Sequence, residues 1–215
     1  FPGRVGVGVC AGALPVDFEL AGVPFEEMFP RYRRATEELA AVLAGTAKGA
    51  LATDPGVAAL AGGEIPMVAA VQAEKTARRA ASQGLGILVD SLQSIERTRP
   101  LTDAFREAGG TGPCILIRRV WVGPPPTGNM AEQMDRYRGY APARAVANWA
   151  DGDALIAGED GAEVAERLDE AMRGSGCDTL NVRVFLAGLS PSQVAEQVAE
   201  HGSSTLPRLR QFRVT

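Results

Sequence analysis

The chain has 215 residues, 46% of them apolar and 22% charged, enough to bury one sizeable core as a single domain over 1–215. A net charge of -4 and a pI near 5.2 argue against a general nucleic-acid binder or a polybasic membrane-surface protein, and no apolar run approaches the roughly 20 residues of a spanning helix. Three widely spaced cysteines, Cys10, Cys114 and Cys177, with no CxxC pair, fit free thiols in a reducing compartment and predict a cytoplasmic protein.

The chain opens on Phe1 without a signal-peptide pattern, so an upstream portion is expected to lie outside it. Val5 to Val9 reads as a first strand. The helix predicted over Arg31 to Ala44 carries Tyr32, Ala35, Leu39, Val42 and Leu43 on one face. Pro66 to Val71 and Gly86 to Asp90 read as two further strands, joined by a helix from Glu74 to Gln83. A helical stretch follows, with an interruption predicted at Pro100 and an end at Gly109 and Gly110. Cys114 to Val122 is the fourth strand.

Three consecutive prolines, Pro124 to Pro126, open a helical and aromatic segment with Met130, Met134, Tyr137, Tyr140 and Trp149, read as an insertion over 123–150. These side chains suit a lid, a dimer surface or, at helical spacing, core. Asp160 and Glu163 make a capping-box pattern for a helix whose apolar face holds Val164, Leu168, Ala171 and Met172, with Gly174 and Gly176 as stop signals. Thr179 to Leu186 is the fifth strand, and Ser190, Pro191 and Gln193 cap a last main helix ending near Gly202.

Strands alternating with helices indicate about five βα units on a largely parallel sheet. A closed (β/α)8 barrel needs eight strands and about 250 residues, so the pattern is either a barrel lacking its first three strands or an open doubly wound sheet.

The stretch Gly6 to Phe25, a glycine-spaced strand running into Leu14, Asp17, Phe18 and the turn Gly22-Val23-Pro24-Phe25, resembles the bacterial luciferase-like monooxygenase family. Ile65 to Leu88 is similar to that family's strand, ligand loop and Ala-Ala helix. Leu155 to Pro207 carries its wording in Val164 to Leu168, Leu180 to Val182, Gly188 to Pro191 and Leu206 to Arg210. The resemblance implies an α/β fold of TIM-barrel type without its first three strands. It further implies an oxidoreductase, either a monooxygenase or a hydride-transfer enzyme, that uses FMN or a deazaflavin coenzyme on a small organic substrate. The implied partner is a second copy or a chain that supplies the missing strands. A non-catalytic ligand-binding or structural relative is the alternative, and a doubly wound protein binding a phosphorylated metabolite is a third.

The cofactor pocket implied by the resemblance is lined by Cys10, Ala11 and Gly12 at the first strand's end and by Gln72, Ala73 and Thr76 in the ligand loop. Residues at the carboxy ends of barrel strands face the active site. Cys10 matches a reactive cysteine of the luciferases, whereas Ala11 stands where they carry a phosphate-binding arginine. The segment Val71 to Thr76 can cradle an anion with backbone amides, the helix dipole, the Thr76 hydroxyl and Lys75. An ordinary helix start is the competing reading, and β-carbons on Val71 and Ala73 narrow the approach.

His201, the sole histidine, reads as a helix-end residue, so no Ser-His-Asp or Cys-His set is available, catalytic residues stay unassigned and no metal site is expected. Asp17, Glu19, Glu26 and Glu27 suit helix-start carboxylates. Of Arg118 and Arg119, the two-residue period turns one inward and one outward, the inward one facing an anionic ligand or a rim ion pair. Arg183 raises the same question.

Overall fold

The computed structural model describes residues 4–60, 65–147, 149 and 155–212. It divides into two compact units, Phe1–Leu88 with Ala104–Pro113 and Val89–Asp103 with Cys114–Thr215.

In the first unit, β1 (Val7–Val9) leads through α1 (Pro15–Leu20) and a 3-10 turn (Phe25–Glu27) into α2 (Met28–Leu43). A second 3-10 turn (Gly49–Thr53) and α3 (Pro55–Ala58) precede β2 (Met67–Val71), α4 (Glu74–Ser82) and β3 (Gly86–Val89). β1 runs parallel to β2, with Val7, Gly8 and Val9 opposite Met67, Val68 and Ala69. The first strand is shorter than the predicted Val5 to Val9. Val7 donates to the Pro66 carbonyl at 2.9 Å, and Pro66 has no N–H with which to extend the ladder towards Val5. α2 starts earlier than predicted because Pro30 falls within its first turn, where a missing N–H breaks no bond.

α1 and its turn explain the Leu14 to Phe25 wording physically. Pro15 opens the helix and Asp17 lies in its first turn. Val23 N–H reaches back to the Phe18 carbonyl at 2.9 Å, closing a Schellman-type end around Gly22 at φ +65°. Phe18 and Phe25 then pack edge to face with centroids 5.2 Å apart.

α5 (Ile95–Glu107) is one helix with Pro100 inside it, not the interrupted pair predicted. Ser94 starts it, its hydroxyl accepting from Arg97 N–H at 3.3 Å. The bond that Pro100 omits would have used the carbonyl of exposed Glu96, which water can satisfy.

The second unit is built on β4 (Cys114–Val122), followed by α6 (Thr127–Tyr140), α7 (Ala143–Val146), β5 (Ile156–Gly158), α8 (Gly161–Ser175), β6 (Thr179–Arg183), α9 (Pro191–Glu200) and α10 (Leu206–Phe212). β4 is parallel to both its neighbours here, β6 over Ile115 to Arg119 and β5 over Val120 to Val122. That change of partner shortens β6 relative to the predicted Thr179 to Leu186, since β4 beyond Arg119 is matched to β5. β5 itself went unpredicted, being only three residues long.

The cap of α9 follows the sequence signals in full and that of α8 in part, because the Glu163 carboxylate accepts from Glu159 N–H at 2.7 Å instead of closing a box on Asp160. The Asp160 carboxylate accepts from Ala162 and Glu163 N–H, and Gly176 ends α8 at φ +71°, while Gly174 lies inside it. Ser190 and Gln193 make a full capping box. α9 ends at Glu200, close to the predicted Gly202, and a π-type turn over His201–Thr205 leads on into α10. Val120, Val164 and Leu168 form the core between β4 and α8, joined by Ile156, Leu180, Val182 and Leu209.

Candidate functional site

The β1–β2 register brings the two predicted cofactor segments side by side. With Val9 opposite Ala69, Cys10 to Gly12 and Gln72 to Thr76 leave the same ends of two adjacent parallel strands. Cys10, Gly12, Gln72 and Ala73 are exposed, and Ala11 and Thr76 are half-buried. Gly12 has φ +87°, and a β-carbon there would stand 2.9 Å from a Phe18 ring carbon, so both conformation and space require glycine.

α4 begins without a side-chain cap, its N-cap residue being Ala73 in extended conformation. The Thr76 hydroxyl donates to the Ala73 carbonyl at 2.6 Å, and Thr76 and Ala77 N–H turn to that same carbonyl. The Glu74 and Lys75 amides at the helix start are therefore the groups that the local structure leaves for an anion, rather than the Thr76 hydroxyl proton. The Glu74 carboxylate is 3.8 Å from Arg78, whose guanidinium also meets Glu107 at 3.0 Å. Tyr32 belongs to the same surroundings and was not singled out from sequence. Burial raises its pKa, a hydrogen bond with buried Thr36 opposes this, and the fields of Cys10 and Arg79 both reach it.

The second unit holds a different constellation. Arg118 and Arg119 take opposite sides of β4 and both are buried, at 0% and 3% exposed. Arg118 is held by carbonyls, with Nη1 donating to Ile117 at 2.7 Å and Nη2 to Gln93 at 3.0 Å. Arg119 meets only hydroxyls. Nη1 donates to Ser91 Oγ at 2.9 Å, Nη2 donates to Tyr137 Oη at 2.9 Å, and among the described residues its Nε has no partner. Tyr137 lies 5.5 Å from the guanidinium carbon in cation–π contact and packs on Trp149 and Tyr140. Ser91 Oγ also approaches Asp90 Oδ1 at 3.4 Å, so Asp90 meets the arginine only through the serine. Burial first, then Tyr137 and Asp90, raise the Tyr140 pKa, and Arg119 opposes them.

Asp90 and Ser91 follow β3 as Cys10 follows β1, so the strand-end reasoning used for Cys10 would have found them. The pairing with Tyr137 had no sequence signal, because it joins positions 18 residues apart. The insertion's other apolar residues are packed: Met134 is buried on Leu92, flanked by Met130, Tyr137 and Trp149. Residues 148 and 150 of the predicted insertion lie outside the described residues.

His201 is the C-cap of α9, as its helix-end reading has it, but it is not at the surface. It is 4% exposed, and its Nδ1 is 2.9 Å from Thr205 Oγ1. Burial lowers its pKa, while the Val120 backbone and Glu200 pull the other way. Arg183 is exposed, as are Asp17, Glu19 and Glu26. Among the described residues, no group of three or more His, Cys, Asp or Glu side chains could hold a metal, and no helix is long and apolar enough to cross a membrane.

No curated protein sequence matches the chain. Among solved structures, it resembles monooxygenase RslO1 from Streptomyces bottropensis at 17% identity and a TM-score of 0.68, over 95% of this chain and 69% of that one. The oxygenating constituent of 3,6-diketocamphane monooxygenase from the CAM plasmid of Pseudomonas putida, a type II Baeyer-Villiger enzyme in complex with FMN, gives 12% identity and a TM-score of 0.67, over 96% and 72%. An F420-dependent secondary alcohol dehydrogenase, in complex with an F420-acetone adduct, gives 17% and 0.67, over 98% and 71%. These likenesses show the parallel α/β fold of TIM-barrel type and set aside the doubly wound alternative. The family model described as luciferase-like monooxygenase matches residues 1–207, and the chain belongs to that family.

Proposed function

We propose that this protein is an oxidoreductase that uses FMN or a deazaflavin coenzyme to oxygenate a small organic substrate or to exchange hydride with it. The observation that carries the reading is the side-by-side ending of β1 and β2, which sets Cys10, Ala11 and Gly12 beside Gln72, Ala73 and the uncapped start of α4. Both coenzyme types occur in proteins of similar fold, as FMN in the diketocamphane enzyme and as F420 in the alcohol dehydrogenase.

The residues fit a phosphorylated coenzyme in a specific way. The Glu74 and Lys75 amides would hold the phosphate with the α4 dipole behind them, and the Lys75 ammonium would add charge. Glu74, drawn towards Arg78, is kept from opposing that phosphate. Small side chains at Ala11 and Gly12 leave room for a flat ring beside the strand end. When bound, the ring would supply the redox chemistry, while the protein sets its orientation and excludes water. The assembly in this reading is a cytoplasmic homodimer, or a complex with a chain that supplies further barrel strands beside β1.

The test is equilibrium binding of FMN and of F420, read by flavin fluorescence and visible absorption, together with alkylation of Cys10. Saturable binding of either coenzyme that slows Cys10 alkylation supports the proposal. Binding of neither overturns it in favour of a non-catalytic relative of the family.

A further inference from the structure

Arg119 is a buried cation whose direct hydrogen-bond partners, among the described residues, are uncharged hydroxyls. A guanidinium offers five N–H groups in a planar fork suited to two oxygens of one anion. Here one terminal nitrogen meets the Ser91 hydroxyl, the other meets the Tyr137 phenol, and Nε meets none of the described residues. Among the described residues, no carboxylate pairs with it directly, Asp90 standing one hydroxyl away. Its sequence neighbour Arg118 is equally buried but serves as a tie between backbone carbonyls, with bonds to Ile117 and Gln93.

An unpaired buried charge is among the costliest features a fold can keep, and an unsatisfied N–H on it adds to that cost. A neutral side chain between Ser91 and Tyr137 would carry no such cost. The position supplies a further argument. Arg119 lies towards the carboxy end of β4, and ligands of parallel α/β folds bind at those ends. The Tyr137 ring lies over it and is itself packed edge to face by Tyr140 and Trp149, aromatic side chains that can lie against an organic ligand.

We infer that Arg119 is the receptor for an oxyanion (carboxylate, sulfonate or phosphate) on the ligand of this protein, bound through Nε and a terminal nitrogen beneath the Tyr137 ring. Ser91 and Tyr137 are the positioning residues that hold the fork before the ligand arrives. Calling the ligand a substrate or coenzyme rests on the oxidoreductase reading above; the oxyanion site does not.

The experiment is a binding titration of the full chain with inorganic phosphate, sodium octanoate, FMN and riboflavin at constant ionic strength. It is followed by calorimetry and by the shift in thermal midpoint, with sodium chloride as the control. Saturable binding of phosphate or octanoate by the wild type is expected. Arg119→Gln should weaken it on the order of tenfold to a hundredfold, the range for a charged hydrogen-bonded contact. Arg119→Lys should recover part of the affinity as a point charge without the fork.

If the oxyanion belongs to the coenzyme, FMN binding falls in Arg119→Gln to the level of riboflavin. If it belongs to the substrate, FMN binding is unchanged and octanoate binding is lost. Binding of phosphate or octanoate but of neither FMN nor riboflavin would sustain the oxyanion site while removing the flavin reading. Should Arg119→Gln fail to fold, the wild-type titration with Tyr137→Phe still decides. That variant keeps the charge but removes one of the two hydroxyls that hold the fork, so oxyanion affinity should fall, though by less than on loss of the guanidinium. No saturable binding of any of these anions by the wild type, or equal affinity in folded Arg119→Gln, overturns the inference.

Discussion

The side-chain amide of Gln197 pairs with both backbone groups of Val122: its Oε1 accepts the Val122 N–H at 2.9 Å, and its Nε2 donates to the Val122 carbonyl at 2.9 Å. A helix side chain thus stands in for a neighbouring strand at the last residue of β4. Gln197→Leu would leave an N–H and a carbonyl without partners and should cost about 2–4 kcal/mol. Gln197→Glu keeps the shape and the acceptor but loses the donor, so about half that loss is expected. Urea midpoints of the two variants measure this; a leucine variant as stable as wild type would show that the pairing contributes nothing.

Two glycines separate conformational from steric cost. Gly22 has φ +65° with open space where a β-carbon would go, whereas Gly12 has φ +87° and the Phe18 ring 2.9 Å from that position. Gly22→Ala should lose about 1 kcal/mol, the usual cost of a left-handed conformation for alanine. Gly12→Ala should lose more and displace Phe18, which near-ultraviolet dichroism would register. Equal losses at the two sites would argue against the predicted crowding.

His201 makes stability depend on pH. Burial sets its folded pKa below the ordinary value of 6.5, so the unfolded chain binds the proton more readily. Its contribution is complete at neutral and higher pH and declines as the pH falls through 6.5 towards the folded value. Thermal midpoints compared at pH 7.5 and pH 5.5 should therefore fall less on acidification in His201→Gln than in wild type, about 1 pH unit either side of the unfolded pKa. Parallel pH profiles for the two proteins would remove His201 as the cause.

The three thiols should report their placement directly. Cys10 is exposed, and Cys114 and Cys177 are buried. Iodoacetamide on the native protein is expected to modify Cys10 alone, with the other two reacting after denaturation. Intact mass before and after adding denaturant counts them, and rapid native labelling of Cys114 would contradict its position in β4.

Much of the fold was legible because its signals are local. The run Cys114 to Val122 gave β4 at both ends, and the Asp160 and Ser190 caps placed the starts of α8 and α9. What escaped depends on partners distant in the chain. β5 exists because β4 offers it an edge at Val120 to Val122, and three residues carry no readable period. His201 is buried, and the Val120 backbone of β4 acts on it. The strand-end logic that pointed to Cys10 applies equally to Asp90 and Ser91. The importance of Arg119, by contrast, rests on the Nε that no described residue meets, and that depends on the packing of side chains far apart in the chain.

The twin arginines of β4 have a consequence for its assembly. Sliding a strand by one residue inverts every side chain, and normally the misplaced charges forbid it. At Arg118 and Arg119 such a slip would merely exchange one guanidinium for another, so this step offers little protection against misregistration. The anchors lie at the ends of the strand instead. Cys114 N–H donates to Asp178 Oδ1 at 3.1 Å while Asp178 N–H donates to the Cys114 carbonyl at 3.1 Å, and Val122 is clasped by Gln197. β4 is proofread at its two extremities, which leaves its middle free to carry cations to both faces.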